Sequence, residues 1–287
     1  QDILIDAYRR ESLSDEELGL GSSLYVNGYR IGMLISGGGA LYLAEFLSWE
    51  RVYFFMSLMM IGMIFVTLFS KEPDVDISKN PKSLKEAVVL PFIDYFKRQG
   101  AWWILTFIFL YKVGDQMASN MSMPLYLDLG FSKAEISGIV KTFGMGTTLA
   151  GGFIGGLIML KWGIYRSLWI FGILQMVSTA GFSFLYWTGE SLFVLASVIA
   201  FENLASGMGT AAYAAFMASL TNRHYTALQY ALLSSLMGVP RVVASSPTGY
   251  MVEWIGYGSF FIFCTLIALP GLFILLRFKN DFLPKSL

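Results

Sequence analysis

The chain is poor in charged residues, cysteine and histidine, and each shortage narrows what it can be. Only 14% of its 287 residues are charged, against roughly 25% in a typical soluble domain. Its 20 bases and 20 acids cancel, so nothing predicts a surface for nucleic acid. The single cysteine, Cys264, excludes a disulfide within the chain, and the single histidine, His224, disfavours His-based catalysis.

Apolar sequence is what the chain has in quantity, at 55% of its residues. Apolar stretches of about 20 residues recur, and a helix of roughly that length crosses the ~30 Å hydrocarbon layer of a membrane. The pattern predicts an all-α, polytopic membrane protein in which residues 1–9 form the end of one helix. Eight complete spans follow, at about 19–44, 51–70, 101–125, 134–160, 167–187, 191–218, 227–251 and 257–277.

Residues 71–100 form the only long polar connection, and they include a weakly amphipathic piece near 83–98. We expect a loop with a short surface helix here. The connection would join two bundles: the remainder of an N-terminal helical bundle in 1–70 and a six-helix C-terminal bundle in 101–287.

Basic residues flank the predicted spans unevenly. Fourteen of them lie on the side of residues 71–100 and the C-terminal tail, whereas only Arg51 and Lys133 lie on the opposite side. Because cytoplasmic loops of membrane proteins are rich in Lys and Arg, the connection and the C-terminus are predicted to be cytoplasmic.

Eight charged residues fall within the predicted helices. A charge at the centre of a membrane helix costs about 2.5–3.5 kcal/mol on insertion scales. We therefore expect these side chains to face one another, a wet cavity or a substrate rather than lipid. They are Asp2, Asp6, Arg30, Lys112, Asp115, Lys141, Glu202 and Arg241.

A faint internal repeat relates residues 12–30 to residues 219–241. Each segment has a polar turn, a helix of small residues and one intramembrane arginine, Arg30 or Arg241, followed by SGGGA or SSPTG. The two copies are six helices apart, which is the repeat spacing of a twelve-helix transporter built from two six-helix halves. The two arginines are therefore predicted to occupy related positions.

Several segments carry a more specific likeness. They are QDILIDAYR (1–9), LGLGSSLYVNGYRIGMLISGGGALYLAE (18–45), LYKVGDQMA (110–118), VKTFG (140–144), FGILQ (171–175), FENLASGMGT (201–210), LQYALLSS (228–235) and PRVVASSPTGY (240–250). Together they resemble the major facilitator superfamily and, within it, the AmpG-type muropeptide permeases. On this resemblance the sequence is a fragment that begins inside the fourth of twelve helices and continues through the twelfth, in keeping with the absence of an initiator methionine.

The resemblance implies a proton-coupled secondary transporter of the bacterial inner membrane. Its substrates would be GlcNAc-anhydro-MurNAc peptides, imported for cell-wall recycling, and in the family this uptake also feeds β-lactamase induction. The implied partners are the muropeptide, protons and membrane lipid, for a monomer with no cofactor and no metal.

Other functions stay open from sequence. One is a related carrier of acyl-CoA or another organic anion, and another is a scaffold that transports nothing. An intramembrane enzyme such as an acyltransferase is disfavoured, because no nucleophile–base pair lies within the spans.

In the superfamily, helices 1, 4, 7 and 10 line the central cavity, so the resemblance places every intramembrane acid on a cavity helix. We take the four acids as candidates for proton coupling: Asp2 and Asp6 on the fourth helix, Asp115 on the seventh and Glu202 on the tenth. The candidates for substrate binding or charge pairing are Gln1, Arg30, Lys112, Lys141, Asn203 and Arg241.

Lys112 and Asp115 are three residues apart and hence on one face of a helix, which predicts an ion pair. The pair is either static and structural, or part of a proton or substrate site. Glu202 has no charged residue three or four positions away on its own helix. Because burial disfavours its charged form, it can carry a proton during transport or stay neutral and bond a neighbouring helix.

Arg30 and Arg241 have two possible roles. Their guanidinium groups can grip a carboxylate at two points, and muropeptides carry several carboxylates. Equally, they can bridge backbone carbonyls where helices cross. Lys141 can neutralise any of the four acids, so its partner cannot be named from sequence.

Two further patterns stand out. Four glycines in AGGFIGGLI form overlapping GxxxG motifs, which predict close helix packing; they are Gly151, Gly152, Gly155 and Gly156. Tyr111 and Tyr213, on the seventh and tenth helices, are candidates for stacking on sugar rings.

Overall fold

A computed structural model describes residues 2–73, 83, 85–222 and 225–281, and these residues form helices with no strand among them. The α-helices are α1 (Asp2–Ser12), α2 (Leu18–Leu34), α3 (Ala40–Ala44), α4 (Trp49–Phe69), α5 (Leu90–Lys97), α6 (Ala101–Asp128), α7 (Lys133–Glu135), α8 (Gly144–Trp162), α9 (Ile164–Thr188), α10 (Leu192–Leu220), α11 (Thr226–Val243), α12 (Thr248–Ile267) and α13 (Leu269–Asp281). The predicted all-α class is confirmed.

Two of the predicted spans pass through wider, π-helical turns. The segment Ile35–Gly39 joins α2 to α3, and Ile136–Phe143 joins α7 to α8. A third π-helical segment, Lys85–Val89, precedes α5. π-Helical turns are rare and concentrate at functional sites.

Five helical stretches of the described chain are long and apolar enough to cross a membrane: Trp49–Phe69, Lys133–Trp162, Ile164–Thr188, Leu192–Leu220 and Thr248–Phe278. The three remaining predicted spans fall short of that apolarity. Each carries intramembrane charge, namely Arg30, the Lys112–Asp115 pair or Arg241. The chain is therefore a multi-pass membrane protein.

The predicted span 227–251 is not one continuous helix. Helix α11 ends at Val243, a turn follows over residues 244–247, and α12 then begins at Thr248. Pro247 closes that turn, where it has no amide hydrogen to donate to a continuing helix. A second break falls within α12 at Gly256, whose φ of 75° is readily reached only by glycine.

The glycines of α8 wedge this helix between α2 and α10. A Cβ atom at Gly155 would lie 2.9 Å from Cα of Met208 on α10, and one at Gly156 would lie 2.6 Å from Cβ of Ser23 on α2. Gly151 and Gly152 approach Leu204 and Asn27 more closely still. The packing role predicted from the GxxxG motifs is confirmed, since only glycine leaves room for two neighbours at once.

Polar contacts complete the antiparallel α2–α8 pair. Ser23 Oγ donates to the carbonyl of Gly152, and Asn27 Nδ2 donates to that of Leu149 at 3.0 Å. Further along α2, Arg30 Nη1 lies 3.4 Å from the carbonyl oxygen of Thr148. Each successive residue of α2 thus meets an earlier residue of α8, and the contact ends as both helices approach their π-helical segments.

Helix α1 packs against both α2 and α11. The guanidinium of Arg9 lies 4.4 Å from the ring centre of Tyr25 and 5.3 Å from that of Tyr230. It also donates to Asp6 at 3.1 Å and to the Tyr230 hydroxyl at 2.9 Å. Arg9 therefore ties α1, α2 and α11 together at one end of the bundle.

The described part of the 71–100 connection lies at that same end. Tyr8 donates to the carbonyl of Lys71 at 2.9 Å. From the other side of the connection, Arg98 Nη1 donates to the carbonyl of Leu220 at 2.7 Å, and Gln229 Nε2 donates to Asp94 at 2.9 Å. The described residues on both sides of the connection thus lie at the same end of the bundle as Arg9. His224 and the C-terminal tail lie outside the described residues.

Candidate functional site

A polar cavity of about 500 Å³ opens between α2, α6, the Ile136–Phe143 segment, α10 and α11. Six of the sequence-predicted residues line it: Arg30, Lys112, Asp115, Lys141, Glu202 and Asn203. Hydroxyl and amide groups add polar lining, and Tyr126, Phe182 and Met237 add apolar surface. Most of the predicted charges are thus brought to one place.

Lys112 and Asp115 form the expected ion pair. Lys112 Nζ lies 3.0 Å from Asp115 Oδ2, with side chains 5% and 15% exposed. The ammonium is also 3.5 Å from Thr210 Oγ1 on α10. Lys112 is therefore held in place by a neighbouring helix as well as by Asp115.

Glu202 has partners on other helices, which its own helix could not reveal. Ser178 Oγ on α9 donates to Glu202 Oε2 at 2.5 Å. The Glu202 carboxyl also interacts with Asp115 and Lys112 from α6. Two acids and one base therefore form a single charge cluster, which we call the 112–115–202 cluster.

Asn203 connects α10 to α8 beside this cluster. Its Nδ2 donates to the carbonyl of Ile199 at 2.9 Å, and its Oδ1 accepts from Thr148 Oγ1 at 2.8 Å. Thr148 also carries the carbonyl oxygen that Arg30 approaches. These hydrogen bonds hold the Asn203 side chain at the wall of the cavity, close to the Thr148 carbonyl that Arg30 approaches.

Arg30 and Lys141 place positive charge on the cavity wall formed by α2 and the Ile136–Phe143 segment. Arg30 is half-buried and Lys141 is exposed. Neither forms an ion pair with any residue that the structure describes. Two cations without a fixed anionic partner can receive carboxylates from a ligand.

The other predicted site residues lie elsewhere. Asp6 is buried in its ion pair with Arg9, at the end of the bundle where Arg9 joins α1, α2 and α11. Arg241 is exposed and is not among the residues that line the cavity. Gln1 and the side chain of Asp2 lie outside the described part of the chain.

Tyr111 and Tyr213 are not available to a sugar. Their rings stack on each other with centroids 5.2 Å apart, and they are 7% and 0% exposed. Their hydroxyls donate to the carbonyls of Leu168 and Ile108. The prediction was wrong because a cavity helix also has a face that packs against its neighbours.

Two residues beside the cluster were missed from sequence: Ser178, which donates to Glu202, and Gln175, which lines a small void together with Asp115. Both lie on α9, a helix that the resemblance did not assign to the cavity, although Phe182 of α9 also lines it. The only signal was a run of polar residues, one turn apart, in an otherwise apolar helix. No group of three His, Cys, Asp or Glu side chains that could hold a metal occurs among the described residues.

Comparison with known proteins agrees with this architecture. Residues 2–245 match the Major Facilitator Superfamily. The chain therefore belongs to the major facilitator superfamily, which is a family of membrane transporters and not of enzymes.

Its relatives are more specific. The chain is 41% identical to the anhydromuropeptide permease of Escherichia coli K12, over 96% of its own length and 56% of the permease. It is 44% identical to an uncharacterised protein of Haemophilus influenzae, over 96% of its length and 67% of that protein. It is also 38% identical to the putative transporter AmpG 4 of Rickettsia felis, over 96% of its own length and 68% of that protein. The chain thus spans between about half and two thirds of the length of these relatives.

Proposed function

We propose that the protein imports anhydro-muropeptides, namely GlcNAc-anhydro-MurNAc peptides, together with protons across the bacterial inner membrane. The observation that carries this proposal is the polar cavity that joins the 112–115–202 cluster to Arg30 and Lys141, in a chain related to an anhydromuropeptide permease. Recycling of cell-wall fragments would be the purpose. An acyl-CoA carrier, the alternative from sequence, is not favoured by these relatives.

The charges suit a peptide-bearing sugar. A muropeptide stem carries carboxylates, and Arg30 and Lys141 offer two positive groups on one wall of the cavity. Hydrogen-bonding groups such as Ser119, Ser206 and Thr210 can bind sugar and peptide polar atoms. In our proposal the anionic stem faces α2 and Lys141, and the rest of the substrate lies over α6 and α10.

Charge balance suggests where the proton goes. With both acids ionised, the 112–115–202 cluster carries one net negative charge, and a single bound proton makes it neutral. Because an unbalanced charge is costly inside a membrane, a neutral cluster is the form best able to change its exposure. Glu202 is the better proton carrier of the two acids, since Asp115 is already paired with Lys112 at 3.0 Å.

We also propose the orientation and the division of the chain. The basic end, with Arg9, Arg10 and the 71–100 connection, would face the cytoplasm. The cavity would then open toward the periplasm, as uptake requires. The connection would join an N-terminal bundle in residues 1–70 to a six-helix bundle in residues 101–287.

The decisive test is Glu202→Gln in the full-length protein, reconstituted in liposomes with an imposed pH gradient. The amide keeps the shape and can still accept from Ser178, but it cannot release a proton. We expect loss of uphill muropeptide accumulation while counterflow exchange persists. Glu253→Gln, which removes an exposed acid outside the cavity, should leave both activities unchanged.

Two results would contradict the proposal. Accumulation at the wild-type level by Glu202→Gln would remove Glu202 from proton coupling. Counterflow that is driven by acyl-CoA and not by muropeptide would overturn the substrate. Because the two assays are independent, the substrate and the coupling can fail separately.

A further inference from the structure

A second and much smaller void lies next to the charge cluster. Helices α6, α9, α12 and α13 enclose it, and Asp115, Gln175, Thr179 and Cys264 are among its lining residues. Asp115 is the one residue that lines both this void and the polar cavity. Its carboxyl group therefore has two faces, one toward the proposed substrate and one toward α9.

Gln175 is the residue that makes this void unusual. Its side chain is 6% exposed, and its Nε2 has no hydrogen-bond partner among the described residues. Its backbone carbonyl is already used, because it accepts from the hydroxyl of Thr179 at 2.9 Å. A buried amide donor is costly to leave unpaired, so the side chain calls for a partner that is not a protein atom.

The size and chemistry of the void define that partner. It has about 10 Å³ of room for water, which is about enough for a single molecule. Around it are an amide donor, the Asp115 carboxylate, and the hydroxyl oxygens of Tyr111 and Thr179, which can accept. An anion would be repelled by Asp115, and a cation would meet the amide hydrogens of Gln175 with Lys112 close behind.

We propose that this void binds one water molecule, which accepts from Gln175 Nε2 and donates to the carboxylate of Asp115. Gln175 is then a positioning residue that keeps Asp115 ionised, so that Glu202 carries the transported proton. A hydrogen bond to a carboxylate favours its charged form. The role of the water rests on the proposed proton coupling, whereas its presence does not.

All the titratable groups around Asp115 enter this balance. Tyr111 and Lys112 come from α6 itself, Glu202 from α10, Cys264 from α12 and Arg30 from α2. Lys112, Arg30 and the water all stabilise the ionised Asp115. Removing the donor behind the water leaves only the two cations as its support, and Asp115 then competes with Glu202 for the proton.

The functional test is Gln175→Met, which keeps the volume and removes the donor. We expect the pH profile of gradient-driven uptake to move toward alkaline pH by about half a unit or more, because the cluster holds its proton more tightly. Ser183→Ala is the matched control, since Ser183 is a buried hydroxyl on the same helix that donates to Gly258 instead. It should leave the profile unchanged.

The structural test is a wild-type density map that resolves water. It should show one water at about 3 Å from both Gln175 Nε2 and an Asp115 oxygen, and the Gln175→Met map should lack it. A wild-type map in which Gln175 bonds a protein atom directly, or an unshifted pH profile in a folded Gln175→Met protein, would overturn the inference. Wild-type protein that shows no pH-driven uptake would instead overturn the proposed coupling, and the map would still test the water.

Discussion

The α2–α8 pair has two halves that differ sharply, although both are rich in glycine. Toward the basic end, Gly152 and Gly156 are pressed against Asn27 and Ser23 of α2. Toward the other end, three glycines have no neighbouring atom within 4 Å of where a Cβ would be: Gly37, Gly138 and Gly146. Both helices take on π-helical turns in this open half, at Ile35–Gly39 and Ile136–Phe143.

One half of this helix pair therefore serves packing, and the other half is free to face a ligand. The closed half is explained by packing, since four glycines of α8 each face another helix there: Gly151, Gly152, Gly155 and Gly156. The open half contains Lys141, and Arg30 lies where the contact ends, so the positive wall of the cavity begins where the helices part. One pair of helices thus seals the bundle at one end and offers charge to a ligand at the other.

The largest effect should come from filling the closed half. Gly151→Leu places a side chain against the backbone of Leu204, which cannot move aside without shifting α10. We expect a loss of about 3 kcal/mol or more, or no folded protein at all. Gly146→Leu, in the open half of the same helix, should cost less than about 1 kcal/mol. Thermal unfolding followed by tryptophan fluorescence in detergent compares the two, and equal losses would erase the distinction between the halves.

A smaller effect is expected from a hydrogen bond across the closed half. Asn27→Leu keeps the volume but removes the 3.0 Å bond to the carbonyl of Leu149. Such bonds between membrane helices contribute about 0.6 kcal/mol on average, so the variant should lose about 1 kcal/mol or less. Gly28→Ala, which points into open space on α2, is the control. A stabilised Asn27→Leu protein would show that packing alone seals this half.

In the open half, the main effect should be on binding and not on stability. Lys141→Gln removes an exposed charge that has no ion-pair partner among the described residues, so unfolding should change by less than about 0.5 kcal/mol. Loss of one partly solvated charge pair with the substrate, worth up to about 1 kcal/mol, should raise the half-saturating muropeptide concentration by about fivefold or less. Titrated counterflow measures this, with Lys133→Gln as the exposed control; an unchanged concentration would remove Lys141 from the site.

The smallest expected effect concerns two similar hydrogen-bonded turns, one formed by Ser14 and Glu17 and the other by Ser132 and Glu135. Hydrogen bonds from Ser14 lower the pKa of Glu17, and hydrogen bonds from Ser132 lower the pKa of Glu135 in the same way. Each therefore adds stability above the ordinary carboxyl pKa, and that stability is lost as pH falls through the lowered value. Ser14→Ala and Ser132→Ala should each return the neighbouring pKa toward its ordinary value, as read by carbon-13 NMR titration. A shift at only one end would mean that one of the two turns does not form in the membrane protein.

Sequence predicted best what depends on neighbours along the chain. The spans followed from apolar length, and the Lys112–Asp115 pair followed from a three-residue spacing on one helix. The break at residues 244–247 was missed because prolines are tolerated inside membrane helices when neighbouring groups satisfy the freed carbonyls. Pro240 lies within α11, whereas Pro247 lies in the turn before α12. The presence of a proline alone therefore did not show which of the two ends a helix.

What sequence could not supply is the rotation of each helix about its axis. Tyr213 lies on a cavity helix yet turns inward to stack on Tyr111. Ser178 lies on α9 yet reaches Glu202 on α10. Both outcomes depend on contacts between helices far apart in sequence, which no periodicity of a single, uniformly apolar helix encodes.

The glycine wedge of α8 also implies an order of assembly during synthesis. Its contact with α10 joins residues 53 apart, from Gly151 to Leu204, whereas its contact with α2 joins Ser23 to Gly152, 129 residues apart. Loop-closure entropy rises by about 0.6 kcal/mol for each doubling of loop length, so the shorter closure is favoured. We expect α8 and α10 to pair first, and α2 to pack against this pair afterwards. Helix α2 would thus be synthesised before α8 and α10 but would reach its packed position after them.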